Sequence, residues 1–175
     1  MKIICLTGES GTGKSTLARY LNELGWYRVK SHTDRPVRDE NDDEHIFHSP
    51  EKMDELLKKY EPLAYTEWFD EALNRPIRYC VFSDDICKDT INVYVIDDNG
   101  LKMLEKHDFS LLKVRIKRDK KLRNVPESRI SRDKGKFYLP DSYFDLILEN
   151  NTDLHSFLVQ SFNIIFIALH FKPCY

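Results

Sequence analysis

A glycine-rich octapeptide, Gly8-Glu-Ser-Gly-Thr-Gly13-Lys14-Ser15, constrains this chain more than any other feature. It matches Gly-x-x-x-x-Gly-Lys-Ser/Thr in full, and in a chain of this composition such a match arises by chance with a probability of roughly 0.002. Three of the six glycines in the 175 residues fall inside it. The spacing has a physical reason. Successive backbone N–H groups turn toward one point only where residues adopt unusual φ and ψ, which glycine does without a Cβ penalty. Those donors, with a helix N-terminus behind them, stabilise a polyphosphate. The flanks agree. Lys2 to Thr7 is a short apolar run, the pattern of a buried strand. Lys14 to Leu24 carries Leu17, Leu21 and Leu24 at helical spacing, and Gly25 is a stop signal. Gly8, Ser10, Gly11, Thr12, Gly13, Lys14, Ser15 and Thr16 are the expected contacts to ATP. Lys14 reaches the β- and γ-phosphates, and the Ser15 hydroxyl is the expected ligand of Mg²⁺. A glycine turn without function is the alternative, and the strand before it and helix after it argue against that.

The remaining chain alternates strands with helices. Trp26 to Ser31, Leu63 to Trp68, Arg78 to Phe82, Thr90 to Ile96, Leu111 to Ile116 and Phe144 to Leu148 read as strands. Ser49-Pro50 opens a helix with proline at its first position, and a loop with Asn74-Arg75-Pro76 separates two of the strands. Leu101 to Lys106 is a short helix, and Thr152 starts a final apolar helix that is expected to be buried. The alternation predicts an α/β protein of three layers, a P-loop fold with a mostly parallel sheet covered on both faces. One domain is expected at this length. With hydrophobic residues at 41%, charged residues at 32% and a net charge of −2, a soluble protein follows, and general attraction to nucleic acid or anionic membrane is disfavoured. Cys5, Cys80, Cys87 and Cys174 lack metal-knuckle spacing and read as reduced thiols. No signal peptide and no membrane span are legible, so a cytoplasmic location is expected. The final helix either covers the sheet or pairs two copies as a homodimer.

The loop alone specifies a nucleoside triphosphate and leaves the reaction open. A small kinase needs a second anionic pocket for its phosphate acceptor. Ser31-His-Thr33-Asp-Arg35-Pro-Val-Arg38 places two arginines three apart beside hydroxyls, which suits charge-assisted, bidentate capture of a phosphate. The alternative is a solvated loop whose arginines pair with the acids between Asp39 and Glu44.

Ser31 to Arg38, followed by Glu40 and Phe47, resembles the guanylate kinase signature, Ser-x-Thr-Thr-Arg-x-x-Arg with a downstream Glu and an aromatic-x-Phe. Arg78-Tyr79 is similar to that family's Tyr-Tyr-Gly, Ile96-Asp97-Asp98-Asn99-Gly100 to its Ile-Asp-x-Gln-Gly, and Phe144 to Asn150 to its closing Tyr-Asp-x-x-Ile-x-Asn. The matches run in order from residue 3 to about 150. The resemblance implies a core (1–30, 83–117 and 138–175), a monophosphate-binding excursion (31–82) and a lid (118–137). It implies ATP-dependent phosphoryl transfer to a nucleoside monophosphate, GMP or dGMP first. Ser31, Arg35, Arg38 and Tyr79 would grip the acceptor's phosphate, with Asp97 near the acceptor nucleotide. Residues 113–136 hold eleven Lys and Arg against three acids, which fits a lid closing over the transferred phosphoryl group. Arg129 and Arg132 share a helical face and join Lys14 as the expected catalytic groups, with Arg118 or Arg123 as a further contact to ATP.

Departures fall on the acceptor side. Asp34 replaces the second Thr of the signature, His45 stands where a phosphate-contacting Tyr is usual, and Cys80-Val81 replaces Gly-Ser/Thr. The base-reading Glu expected near residues 64–66 is absent. Thr66 and Glu67 are the candidates, and Glu67 reads equally as an ordinary exposed strand residue. Another nucleoside monophosphate, a phosphorylated sugar, or a non-catalytic module of similar fold are the alternatives to a GMP kinase.

Overall fold

The computed structural model describes residues 1–40 and 42–170, and the side chains of all of these except Ser128 and Arg132. Five strands form the central sheet in the order β2-β7-β1-β8-β9: β1 (Lys2–Thr7), β2 (Tyr27–Val29), β7 (Asn92–Val95), β8 (Ser110–Lys117) and β9 (Leu146–Glu149). Every neighbouring pair in it is parallel. Such a sheet needs cover on both faces, and the alternation along β1 shows how it is met. Ile4 and Leu6 pack with Leu17 and Leu21 of α1 (Lys14–Glu23) and with Phe157 and Ile164, on one side. Ile3 and Cys5 pack with Leu101 and Leu104 of α3 (Asp98–Leu104) on the other. The expected three-layer α/β fold is therefore present.

A second sheet grows out of residues 31–81. Its order is β4-β3-β6-β5, from β3 (Ser31–Thr33), β4 (His45–Phe47), β5 (Ala64–Asp70) and β6 (Arg75–Val81). β3 and β4 run parallel, while β6 is antiparallel to both β3 and β5. Helix α2 (Pro50–Lys59) packs Met53 against Cys80 and Phe82, and the Ser49 hydroxyl accepts from the Lys52 N–H at 3.2 Å to cap it.

Four readings need correction. The stretch from Trp26 to Ser31 is not one strand: Lys30 is the break at which the chain leaves the central sheet for the second one. The Ser31 to Arg38 segment, for which a solvated loop is the alternative, begins with β3, and Arg35 within it is buried. Arg75 and Pro76 lie within β6, not in a loop. Pro76 sits opposite Phe69 at a point where β3 does not reach, so its missing N–H costs no ladder bond. The final helix is two, α5 (Leu154–Gln160) and α6 (Phe162–His170), broken at fully buried Ser161, whose hydroxyl donates to Leu158 O. Only Ile164 and Ala168 of α6 are buried, while Phe162, Phe166 and Leu169 are exposed. Cys5 and Cys80 are buried free thiols and Cys87 is half-buried; Cys174 lies outside the described residues. No helix among the described residues is long and apolar enough to cross a membrane.

Candidate active site

The glycine loop joins β1 to α1, and two of its glycines are required by geometry. Gly8 has φ +139° and lies so close to the Ile116 carbonyl that a Cβ would collide with it. Gly13 has φ +104°, and a Cβ there would stand 2.6 Å from Asn150 Nδ2 and 3.2 Å from the Phe157 ring. Asn150 Nδ2 donates to Thr12 O at 2.9 Å, so the closing motif after β9 anchors the loop from below.

Three carboxylates surround the loop. Asp133 of α4 (Glu127–Asp133) accepts from the Ser10 N–H at 2.5 Å. Glu44 accepts from the Ser15 hydroxyl and from Arg19 at 2.6 Å. Glu9 pairs with Arg123. Lys14 Nζ donates to Glu9 O at 2.8 Å and lies 5.8 Å from the centre of the Phe137 ring.

A cavity of about 240 Å³ opens between the loop, the second sheet and α4. Ser10, Gly11, Lys14 and Ser15 line one end; Ser31, Arg38, His45, Tyr79 and Asp97 line another; Arg129 projects from α4. The fold thus brings together residues up to 127 positions apart in sequence, from Ser10 to Phe137. Gly8 and Thr12 line a neighbouring cavity of about 430 Å³, with Arg118, Lys120, Arg123 and Asn151. Gly13 lines neither cavity, Thr16 is exposed, and the Arg132 side chain falls outside the described ones.

Two expected acceptor residues lie elsewhere. Arg35 is 6% exposed, and its guanidinium takes both Asp42 oxygens, at 2.8 and 3.2 Å, while resting 5.0 Å from the centre of the Phe47 ring. A buried guanidinium needs a counter-charge, and Asp42 supplies it; the pairing with an acid of residues 39–44 agrees with the alternative reading, but the arginine is buried and not solvated. Glu67 does not line the cavity and accepts from the Tyr65 hydroxyl at 2.5 Å, whereas its β5 neighbours Ala64, Tyr65, Thr66 and Trp68 do line it. Glu40, the acid matched to the signature, is exposed, and Glu44 holds the place beside the loop.

The departures in the sequence acquire structural reasons. Asp34, with a fully buried side chain, accepts from the Arg78 N–H and Nε, both at 2.7 Å, and pairs with Arg75 at 3.4 Å. Arg78 continues to Asp54 and to Pro50 O at 2.9 Å, so one aspartate ties β3, β6 and α2 together. His45 packs edge-on to Tyr79 at 5.1 Å. Burial, and then the charge of Arg35, hold its pKa down at about 4, so it is a neutral imidazole near pH 7. Cys80 contacts Met53 Sδ at 3.7 Å, and burial pushes its thiol up to about 12. Val81 is wholly buried. Ser31 donates to the buried Tyr94 hydroxyl at 3.3 Å, and burial keeps that phenol protonated well above the usual range. Asp97 caps α3 by accepting from the Gly100 N–H at 2.8 Å.

Sequence reasoning missed Glu44, Trp68, Asp133 and Phe137. Asp133 had a signal, since it follows Arg129 by one helical turn and so shares its face. Glu44 had none, being one of several acids in a polar stretch.

A five-stranded parallel sheet covered by helices on both faces, with a glycine-rich loop between its central strand and the helix that follows, defines a phosphate-loop type of α/β fold. The fold is more particularly guanylate kinase-like. A guanylate kinase from Anaplasma phagocytophilum superposes with a TM-score of 0.67 over 99% of this chain and 88% of that one, at 20% sequence identity. No family model and no curated protein matches the sequence.

Proposed function

We propose that the chain transfers the γ-phosphoryl group of ATP to the phosphate of a nucleoside monophosphate, giving a nucleoside diphosphate and ADP. The observation that carries this reading is the single cavity that the phosphate loop shares with Ser31, Arg38, Tyr79 and Arg129. A triphosphate cradled on the loop and a second phosphate held at Arg38 and Tyr79 would meet inside it. The guanylate kinase-like fold supports the same reading.

The roles follow from the chemistry. The loop N–H groups bind the β- and γ-phosphates, and a phosphate oxygen takes over the Ser10 N–H now held by Asp133. Lys14 exchanges the Glu9 carbonyl for the γ-phosphate. An acceptor phosphate oxygen attacks the γ-phosphorus while the bond to the β–γ bridging oxygen breaks, with no covalent intermediate on the protein. Arg129 meets the charge spread over the γ-oxygens, and Phe137 and α4 exclude water. The Ser15 hydroxyl and the Glu44 carboxylate, adjacent beside the loop, form a hard-oxygen pair that suits Mg²⁺. Magnesium bound there neutralises phosphate charge. GMP and dGMP are the first acceptors to test.

Coupled detection of ADP, with ATP, Mg²⁺ and each common nucleoside monophosphate in turn, is the test. Acceptor-dependent ADP formation is expected. No stimulation by any monophosphate would remove the reading.

A further inference from the structure

The acceptor end of the cavity carries an inference that rests on the kinase reading and deepens it. A base pocket that selects guanine is best served by a carboxylate, because N1–H and the 2-amino group are donors and a carboxylate only accepts. Three carboxylates line the cavity among the described residues: Glu44, bound to Ser15 and Arg19, and Asp133, bound to the Ser10 N–H, both stand at the phosphate loop, and Asp97 gives one oxygen to the Gly100 N–H at the start of α3. The register of β5 turns Glu67 away to the Tyr65 hydroxyl. On the neighbouring β6, Val81, paired with Ala64, is in the core, and Cys80, paired with Tyr65, lies against Met53. On the cavity side β5 offers Ala64, Tyr65, Thr66 and Trp68; the Tyr65 hydroxyl is committed to Glu67, and the Lys136 ammonium lies 5.5 Å from the centre of the Trp68 indole.

Those groups discriminate weakly by nature. A threonine hydroxyl rotates to donate or to accept, so it satisfies a carbonyl, a ring nitrogen or an amine. An indole face stacks on any base. High selectivity comes from buried polar groups left unpaired by the wrong ligand, and a rotating hydroxyl avoids that penalty.

We infer that Thr66 and Trp68 determine acceptor choice and make it broad. The substrate class is nucleoside and deoxynucleoside 5′-monophosphates of both purines and pyrimidines, held by the phosphate grip and the stack. GMP is then one acceptor among several.

The test is kcat/KM for GMP, dGMP, AMP, CMP, UMP and dTMP with saturating ATP. The best and worst acceptors are expected to differ by less than about 100-fold. Thr66→Glu places a carboxylate on the same wall and is expected to raise the GMP-to-dTMP ratio by about tenfold or more. Thr66→Val, nearly isosteric, is expected to raise KM for every acceptor while leaving KM for ATP alone, and it carries the test if Thr66→Glu does not fold. A single acceptor favoured by more than about 100-fold would overturn the inference and leave the kinase reading standing. Equal losses for all acceptors in a folded Thr66→Glu, or an unchanged acceptor KM in Thr66→Val, would also overturn it. ADP formation that no monophosphate stimulates would remove both.

Discussion

Replacing Asp34 with alanine strips the counter-charge from two arginines at once. The carboxylate is fully buried and takes three hydrogen bonds or ion contacts at 2.7 Å from Arg78, through N–H, Nε and Nη2, with Arg75 at 3.4 Å. Removing one partner of a buried pair costs about 3–5 kcal/mol, because the other charge stays behind without its match. Arg78 keeps Asp54 and the Pro50 carbonyl, so the lower end, about 3 kcal/mol, is expected. For a chain of this size that lowers the melting temperature by about 6–12 °C. The readout is thermal unfolding followed by circular dichroism, with ATP affinity measured by calorimetry. Thr33 pairs with Tyr79 across the strands that Asp34 bridges, so KM for the acceptor should rise while ATP affinity holds. The double variant Asp34→Ala/Arg78→Met should lose less than the two single losses added together. A melting temperature within about 2 °C of the parent in Asp34→Ala, or strict additivity in the double variant, would refute the reasoning.

Three further outcomes are expected. Lys14→Ala should lower turnover at least ~100-fold, measured by ADP release, through loss of a charge aimed at the transferred group. On the proposed mechanism, in which Arg129 meets charge that develops during transfer, Arg129→Ala should lower kcat by about 10²–10³ with ATP affinity little changed in a binding titration. The third concerns pH. His45 has its pKa depressed from 6.5 to about 4 in the fold, so its contribution to stability is present above pH 6.5 and is lost as pH falls through about 4. The parent should lose about 3 kcal/mol more than His45→Phe between those limits, read from urea melts at a series of pH values.

Much of the fold was legible because its signals are local. Glycines at φ values closed to other residues marked the loop, leucines at helical spacing marked α1, and Ser49-Pro50 marked the start of α2. The apolar run of β1 and the β-branched run of β7 announced a buried parallel sheet. None of those features depends on knowing what lies across from them.

Everything in the candidate site that turns on a partner had to wait for the fold. Arg35 and Arg38 are alike in the sequence; a nearby Asp42 withdraws the first, and the second reaches the cavity. Thr66 and Glu67 differ by one position, and in a strand one position reverses the face, so the pairing of Thr66 with Tyr79 decides which one lines the cavity. Asp133 reaches Ser10 across 123 residues, and Glu44 reaches Ser15 across 29. Backbone preference and periodicity are written residue by residue, whereas the charge that a given side chain finally meets is set by how distant strands and helices close on one another.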